Sequence, residues 1–229
     1  MNHSVASSWS ILCDFDGTIA LEDVTDSLLE RFAPGWEAIE TEWRLNRIGS
    51  RECMARQVAL INASQAEIDE HLAQIHLDPH FPAFVHACLK AGHEFRVVSD
   101  GIDYAIKKLL GRLGLEHLPL SANCLVATGA RSWRLEFPFT ASSCRMRSGN
   151  CKCVLSKTAA LKQQRVLVIG DGRSDFCVAG TANLVFAKQS LIHHCASIGV
   201  PHFAFTDFSQ ALGFLQRLDS YSQIPSLVT

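Results

Sequence analysis

The chain has 229 residues, enough to bury a substantial core, and one domain carrying an inserted subdomain is the natural expectation at this length. Its 48% hydrophobic and 19% charged content is ordinary for a globular protein. A net charge of -2 speaks against a nucleic-acid-binding surface and against polybasic attachment to a membrane, so partners must be argued from a site.

Residues Met1 to Ser10 lack the positive start and apolar stretch of a signal peptide, and no apolar run is long enough to span a bilayer. The expected compartment is the cytoplasm, with no membrane and no nucleic acid as partner. Nine cysteines is many, but the number is odd and most stand singly in apolar segments, unlike a secreted disulfide framework. Cys13, Cys53, Cys88, Cys124, Cys177 and Cys195 are expected to be buried small hydrophobes.

The first predicted element is a strand from Trp9 to Phe15, short and apolar enough to be buried and parallel, ending in Asp14-Phe15-Asp16-Gly17-Thr18. That places two carboxylates at a strand's carboxyl end, the edge where open α/β sheets bind ligands. Asp14 and Asp16 would point the same way on an ideal strand, but Gly17 lets the chain turn and re-aim the second. Like charges so close imply a divalent cation or a separate task for each group. From Asp23 to about Ala73 the pattern is helical throughout, with Pro34-Gly35 ending the first helix and two or three more following. An all-helical block where one crossover helix would suffice reads as an inserted cap.

From Pro79 strands and helices alternate again. A helix from Phe81 to Ala91 precedes a strand from Glu94 to Val98, which ends in Ser99-Asp100-Gly101 before a helix from Ile102 to Leu113. Cys124 to Ala127 and Trp133 to Phe137 form a hairpin pattern with Gly129 in the turn. A polar loop from Ser142 to Cys153 leads into a helix from Val154 to Leu161, with Lys152 at the end of a helix where a cation is disfavoured unless an anion is there to meet it. Lys157, deeper in that helix, is the weaker candidate. A strand from Arg165 to Ile169 carries Asp171 and Asp175 past its end. Asn183 to Ala187 is a further strand, Gln189 to Ser197 a helix, His202 to Phe205 an edge strand, and Asp207 to Leu218 a closing helix. The class is α/β: a doubly wound parallel sheet core from 1–20 and 78–229, with a helical cap at 21–77.

These four signals, Asp14-Phe15-Asp16-Gly17-Thr18, Ser99, Lys152 and Asp171 with Asp175, each at a strand end or helix start, resemble in order the motifs of the haloacid dehalogenase superfamily, a Rossmann-like fold. The resemblance covers nearly the whole chain and implies a Mg2+-dependent phosphatase. It implies Asp14 as nucleophile forming an aspartyl-phosphate, Asp16 as proton donor and then acceptor, and Ser99, Asp100, Gly101 and Lys152 around the phosphoryl oxygens. Mg2+ would be held by Asp14, the backbone carbonyl of Asp16 and Asp171, with Asp175 in direct contact or one layer out. A helical cap between the first two motifs is similar to the phosphoserine phosphatase branch. The loop with Cys151-Lys152-Cys153 looks most like the methionine-salvage phosphatases acting on 2-hydroxy-3-keto-5-methylthiopentenyl-1-phosphate. Ser99-Asp100 and the run Gly170 to Cys177 also resemble phosphoethanolamine/phosphocholine phosphatases.

Asp100 departs from the Ser-Gly-Gly of phosphoserine phosphatases and would place an anion near the phosphate, which argues against phosphoserine. The expected partner is a small phosphorylated metabolite, and the chain is a monomer or homodimer. Asp23 and Arg56 are the cap residues expected to reach it, the first opening a cap helix and the second lying in an otherwise apolar helical run. Cys144, Cys151 and Cys153 could bind zinc with a fourth donor, pair as a disulfide, or be plain loop cysteines. His193-His194 reads as packing, since adjacent helical side chains diverge. A function of another class is a retired scaffold that binds a phosphorylated ligand or a protein.

Overall fold

A computed structural model describes residues 8–215 and 217 of the chain. The elements run β1 (Trp9–Cys13), α1 (Val24–Phe32), α2 (Trp36–Arg44), α3 (Ser50–Val58), α4 (Gln65–Leu72), α5 (Phe81–Lys90), β2 (Glu94–Ile102), α6 (Asp103–Gly111), β3 (Leu120–Ala127) and β4 (Trp133–Glu136). After them come α7 (Lys152–Leu161), β5 (Arg165–Gly170), a 3-10 turn (Arg173–Asp175), α8 (Phe176–Ala179), β6 (Leu184–Ala187), α9 (Gln189–Ser197), β7 (His202–Ala204) and α10 (Phe208–Leu215).

The seven strands form one sheet in the order β4-β3-β2-β1-β5-β6-β7. Every pairing is parallel except the β3–β4 hairpin. β1 is the middle strand: Ile11 is level with Phe95 of β2 on one side and with Leu167 of β5 on the other. The chain therefore leaves β1 toward one edge and later returns to build the other, which makes the carboxyl end of β1 the switch point where such sheets bind ligands.

Alternation along β1 feeds two cores. Ile11 and Cys13 join a face covered by α5 and α10, where Phe81 and Phe208 meet edge to face with centroids 4.9 Å apart. Leu12 joins the opposite face with Val98, Val168 and Val185, packed against Ala159 of α7, Val178 of α8 and Leu191 of α9. Buried Asp78 ties two helices together, accepting the backbone N–H of His80 at 2.9 Å and of Phe208 at 2.9 Å. Among the cap helices, α1 is capped by Asp23, and α4 by the reciprocal pair Ser64 and Glu67. Among the described residues no helix is long and apolar enough to cross a membrane.

The fold class is the expected one, with differences at the edges of elements. β2 continues to Ile102, so Ser99, Asp100 and Gly101 lie inside the strand and not after it. Its pairing with β3 shifts between Val98 and Ile102, an irregularity that lets three polar residues sit in a strand without breaking it. A four-residue helix, α8, follows Asp175 in a stretch to which the sequence assigns no element, since so short a run shows no periodicity. The closing helix is described from Phe208 to Leu215; Gln216 and Leu218, within the expected span, lie outside the described residues. Cys13, Cys53, Cys88 and Cys195 are buried as expected, but Cys124 and Cys177 are only half-buried.

Candidate active site

β1 delivers Asp14 to the switch point, where its backbone N–H still extends the ladder to the Ile169 carbonyl at 2.8 Å. The side chain is 6% exposed. Gly17, at φ +65°, turns the chain, and a Cβ there would collide with the Asp171 carboxylate. Asp16 consequently points away from Asp14's partners: it accepts the Val24 N–H at 2.9 Å and the Ser99 hydroxyl at 3.2 Å.

Lys152 is the first residue of α7 and is buried, as the charge argument about that helix end anticipated. Its Nζ lies 2.8 Å from Asp14 Oδ1 and 2.6 Å from Asp175 Oδ1, and donates to Ser174 Oγ at 3.2 Å. Ser174 also donates to Asp14 Oδ2 at 3.4 Å. Asp175 Oδ2 accepts the Asp171 N–H at 3.3 Å, and it packs so closely on Gly170 that a Cβ there would strike it. One oxygen each from Asp14, Asp171 and Asp175 all lie within 4.8 Å of one another. Lys157 is exposed and takes no part.

Burial, then the charge of Asp175, holds Asp14 well above the ordinary carboxylate range despite Lys152. Burial and Asp175 likewise push Asp171 up to about 6. Burial first and Asp23 second push Asp16 up to about 8, so it carries a proton at neutral pH. Burial opposes the charge on Lys152, but Asp14 and Asp175 outweigh it and raise that group. One cation thus serves three carboxylates, which leaves an excess of negative charge in a dry site. Three hard oxygen donors with unbalanced charge fit a divalent cation of the Mg2+ or Ca2+ kind.

Ser99 and Asp100 line one cavity with Asp14 and Lys152, and both are engaged by neighbouring groups. The Ser99 hydroxyl, 1% exposed, is spent on Asp16 and accepts the Gly101 N–H at 2.8 Å, so both groups are engaged within the site. Asp100 is a tie: its carboxylate accepts Ser50 Oγ of α3 at 2.7 Å, the Asn150 N–H at 2.9 Å and Asn123 Nδ2 at 3.3 Å. Asp100 thus lines the cavity while its carboxylate is committed to three donors of the scaffold.

The cavity above these residues measures about 390 Å³ and is lined by Asp14, Asp16, Asp171 and Lys152 and, from residues 21–77, by Asp23, Asp26, Glu40, Trp43, Met54 and Gln57. Asp23 reaches it, while also accepting the Asp26 N–H at 2.9 Å as the cap of α1. Arg56 does not. It lies exposed outside the cavity, paired through two nitrogens with Glu42 at 2.9 and 3.0 Å, so the expected contact with substrate is corrected. Unanticipated members are Glu40, held by Gln57 at 3.2 Å, and Arg173, which stacks on Trp43 at 4.8 Å and donates to Asn46 at 3.0 Å. Their sequence signal is weak: each sits in an amphipathic helix or a short turn, and only the docking of the helices brings them inward.

The sheet order, the switch point and the carboxylate–lysine centre define a doubly wound α/β protein with three close carboxylates and a buried lysine at the carboxyl end of its middle strand. The family model described as haloacid dehalogenase-like hydrolase matches residues 11–180, and the chain belongs to that family. A 2-hydroxy-3-keto-5-methylthiopentenyl-1-phosphate phosphatase of Geobacillus kaustophilus is 31% identical over 213 residues, covering 91% of this chain and 96% of the relative. One of the same name from an Exiguobacterium species is 29% identical, covering 93% of this chain and 99% of the relative. Among solved structures, a phospho-aspartyl intermediate analogue of phosphoserine phosphatase superposes with a TM-score of 0.68 at 19% identity, covering 91% of this chain and 99% of that one; it is a likeness of fold.

Proposed function

We propose that this chain is a Mg2+-dependent phosphatase that cleaves a small phosphomonoester through an aspartyl-phosphate on Asp14. The observation that carries it is the buried Lys152 Nζ at 2.8 Å from Asp14 Oδ1, beside a carboxylate cluster that lacks balancing charge. Lys152 draws phosphoryl oxygens toward Asp14, whose carboxylate attacks phosphorus in line with the leaving oxygen. Asp16 holds its proton at neutral pH and gives it to the leaving alcohol, then takes one from the water that hydrolyses the intermediate. Ser99 orients Asp16 and exchanges that bond for a phosphoryl oxygen when substrate arrives. Asp14, the Asp16 carbonyl and Asp171 would hold Mg2+, which supplies charge neutralisation at the phosphoryl group; Asp175, bonded to Lys152 and to the Asp171 N–H, fixes both.

Residues 21–77 act as the cap that selects the rest of the substrate. Met54 and Cys53 in its wall give a soft, apolar surface suited to a thioether, which favours the methylthio substrate named for the relatives. A second reading rests on Asp23, Asp26 and Glu40 beside Trp43: burial and its acidic neighbours push Asp26 up to about 7, a repulsion that a cationic substrate group would relieve. Turnover of p-nitrophenyl phosphate with and without Mg2+ tests the reaction, and a binding-only scaffold would give none. A panel of phosphorylated metabolites, including the methylthio ketone phosphate, phosphoethanolamine and phosphocholine, ranked by kcat/KM, separates the two substrate readings.

A further inference from the structure

The reaction uses none of the cysteines around the start of α7, yet four converge there. Cys144, Cys151 and Cys153 from the loop and helix start, with Cys177 of α8, line a second small cavity of about 90 Å³. They do not form a preset metal site: among the described residues the single cluster of three or more metal-capable side chains with mutually close donor atoms is Asp14, Asp171 and Asp175.

Backbone bonds explain why two of the four meet. The Phe139 carbonyl accepts the Cys151 N–H at 3.1 Å and closes the loop at its base, while a tight turn from the Cys144 carbonyl to the Arg147 N–H at 3.1 Å folds Cys144 inward. Cys144 Sγ then lies 3.0 Å from Ser148 Oγ, and Cys144 and Cys151 face the same small cavity. Burial pushes the Cys144 thiol up, but hydrogen bonding, led by Ser148, outweighs it and holds the group below its ordinary value. Cys151 moves the other way, pushed up by burial and by the charge of Cys144. A half-buried sulfur bonded to Ser148, facing across one small cavity a buried neighbour that keeps its proton, divides the labour as attacking and resolving thiols do.

We propose that Cys144 and Cys151 are a peroxide-responsive pair that closes a reversible disulfide beside the active site. The Cys144 thiolate attacks one oxygen of a hydroperoxide; the S–O bond forms, the O–O bond breaks, and the other oxygen leaves as alcohol or water after taking a proton. Sulfur is oxidised by two electrons to the sulfenic acid, and the peroxide is reduced by two. Cys151 sulfur then attacks Cys144 sulfur, and hydroxide leaves with the thiol's proton as water. Cys151 is the residue before Lys152 and caps α7, and Met146 and Ser148 of the same loop line the main cavity. The disulfide replaces the bond from Cys144 to Ser148, tethers the loop to the helix start, and draws Lys152 out of its place between Asp14 and Asp175. Turnover falls until a dithiol reduces the bond; this consequence, unlike the disulfide itself, rests on the function proposed above.

The test treats the full chain with hydrogen peroxide under native conditions, blocks free thiols, and maps the products by mass spectrometry. The expected first product joins Cys144 to Cys151 with the loss of two hydrogen atoms and is reversed by dithiothreitol. In Cys151→Ser, dimedone should capture a sulfenic acid on Cys144; in Cys144→Ser, oxidation at this cluster should be at least about tenfold slower. A first disulfide joining Cys151 to Cys153 or to Cys177, or dimedone capture at Cys151, overturns the pair. Mapping of the unmutated chain decides alone should a serine variant fail to fold. The ratio of p-nitrophenyl phosphate turnover after oxidation to that before should fall in the unmutated chain and stay near one in Cys144→Ser; equal falls in both overturn the effect on activity. Since mass mapping needs no turnover, a chain that forms this disulfide but hydrolyses nothing counts against the phosphatase and not against the pair.

Discussion

Lys152→Met removes one buried charge while keeping most of the aliphatic stem, so it isolates the electrostatic role of the lysine. Its Nζ stands 2.8 Å from Asp14 and 2.6 Å from Asp175, with both partners nearly inaccessible to water. At an effective dielectric constant of about 20, each contact is worth roughly 6 kcal/mol of Coulomb attraction. Desolvation cancels much of that in the intact protein, but the variant has neither cation nor water to offer the two carboxylates, and breaking such a pair costs about 3–5 kcal/mol. For a chain of this size that is a fall in Tm of roughly 6–20 °C.

Thermal unfolding in EDTA at pH 7 measures it, and repetition at pH 5 supplies the control. Asp14 already stands above its unfolded pKa, and losing the Lys152 charge raises it further, so stability is full at low pH and is lost as pH rises through the folded value. The gap between variant and parent should therefore shrink at pH 5, and shrink again at pH 7 when Mg2+ replaces the missing charge. A fall of less than roughly 3 °C, or one that neither proton nor Mg2+ relieves, would refute the reasoning. Turnover should drop by about 10²–10³ whatever the stability, because a positive group at the phosphoryl oxygens is gone.

Asp14→Asn should abolish turnover yet raise Tm in EDTA, since it removes a like charge from beside Asp175 and leaves Lys152 paired; retained turnover would sink the covalent mechanism. Asp16→Asn should lose at least about 10² more activity on alkyl phosphates than on p-nitrophenyl phosphate, whose leaving group needs no proton. For the unmutated chain, alkyl phosphate turnover should fall as pH rises through about 8, where Asp16 loses its proton, and this limb should be absent from the variant's pH profile. Asp78→Ala should cost about 2 kcal/mol in urea unfolding, because one buried and one part-buried backbone N–H group lose their acceptor. Arg56→Ala should leave KM within about twofold, as its guanidinium is engaged with Glu42 on the outer surface; a large rise would restore it to the site.

The fold class was legible because its signals are local. β1 is apolar on both faces, the hairpin announces itself with Gly129, and Pro34-Gly35 marks a helix end. The positions of Asp14, Lys152, Asp171 and Asp175 were legible for a related reason: strand ends and helix starts on one sheet edge must converge, whatever the loops do. Arg56 and Glu40 mark where that logic stops. Both are charged residues on amphipathic cap helices, and which of them looks inward is decided by how α2 docks on α3, a matter of packing that periodicity along one helix does not carry. The partners of Asp100 were hidden for another reason, since Ser50, Asn123 and Asn150 come from three distant segments that no pattern around Asp100 can announce.

The central place of β1 also sets when this molecule can first work during its own synthesis. Asp14 emerges from the ribosome early, but its strand waits for β5 on one side, and its charge waits for Lys152, which arrives only after both strands of the hairpin. Until then the nascent chain carries Asp14 without its cation or a dry pocket to act in, so no partial product can hydrolyse a metabolite at random. Activity should therefore appear abruptly once the segment through Asp175 has cleared the exit tunnel and β5 has zipped against β1. Premature termination before that point yields fragments that are silent, not merely slow.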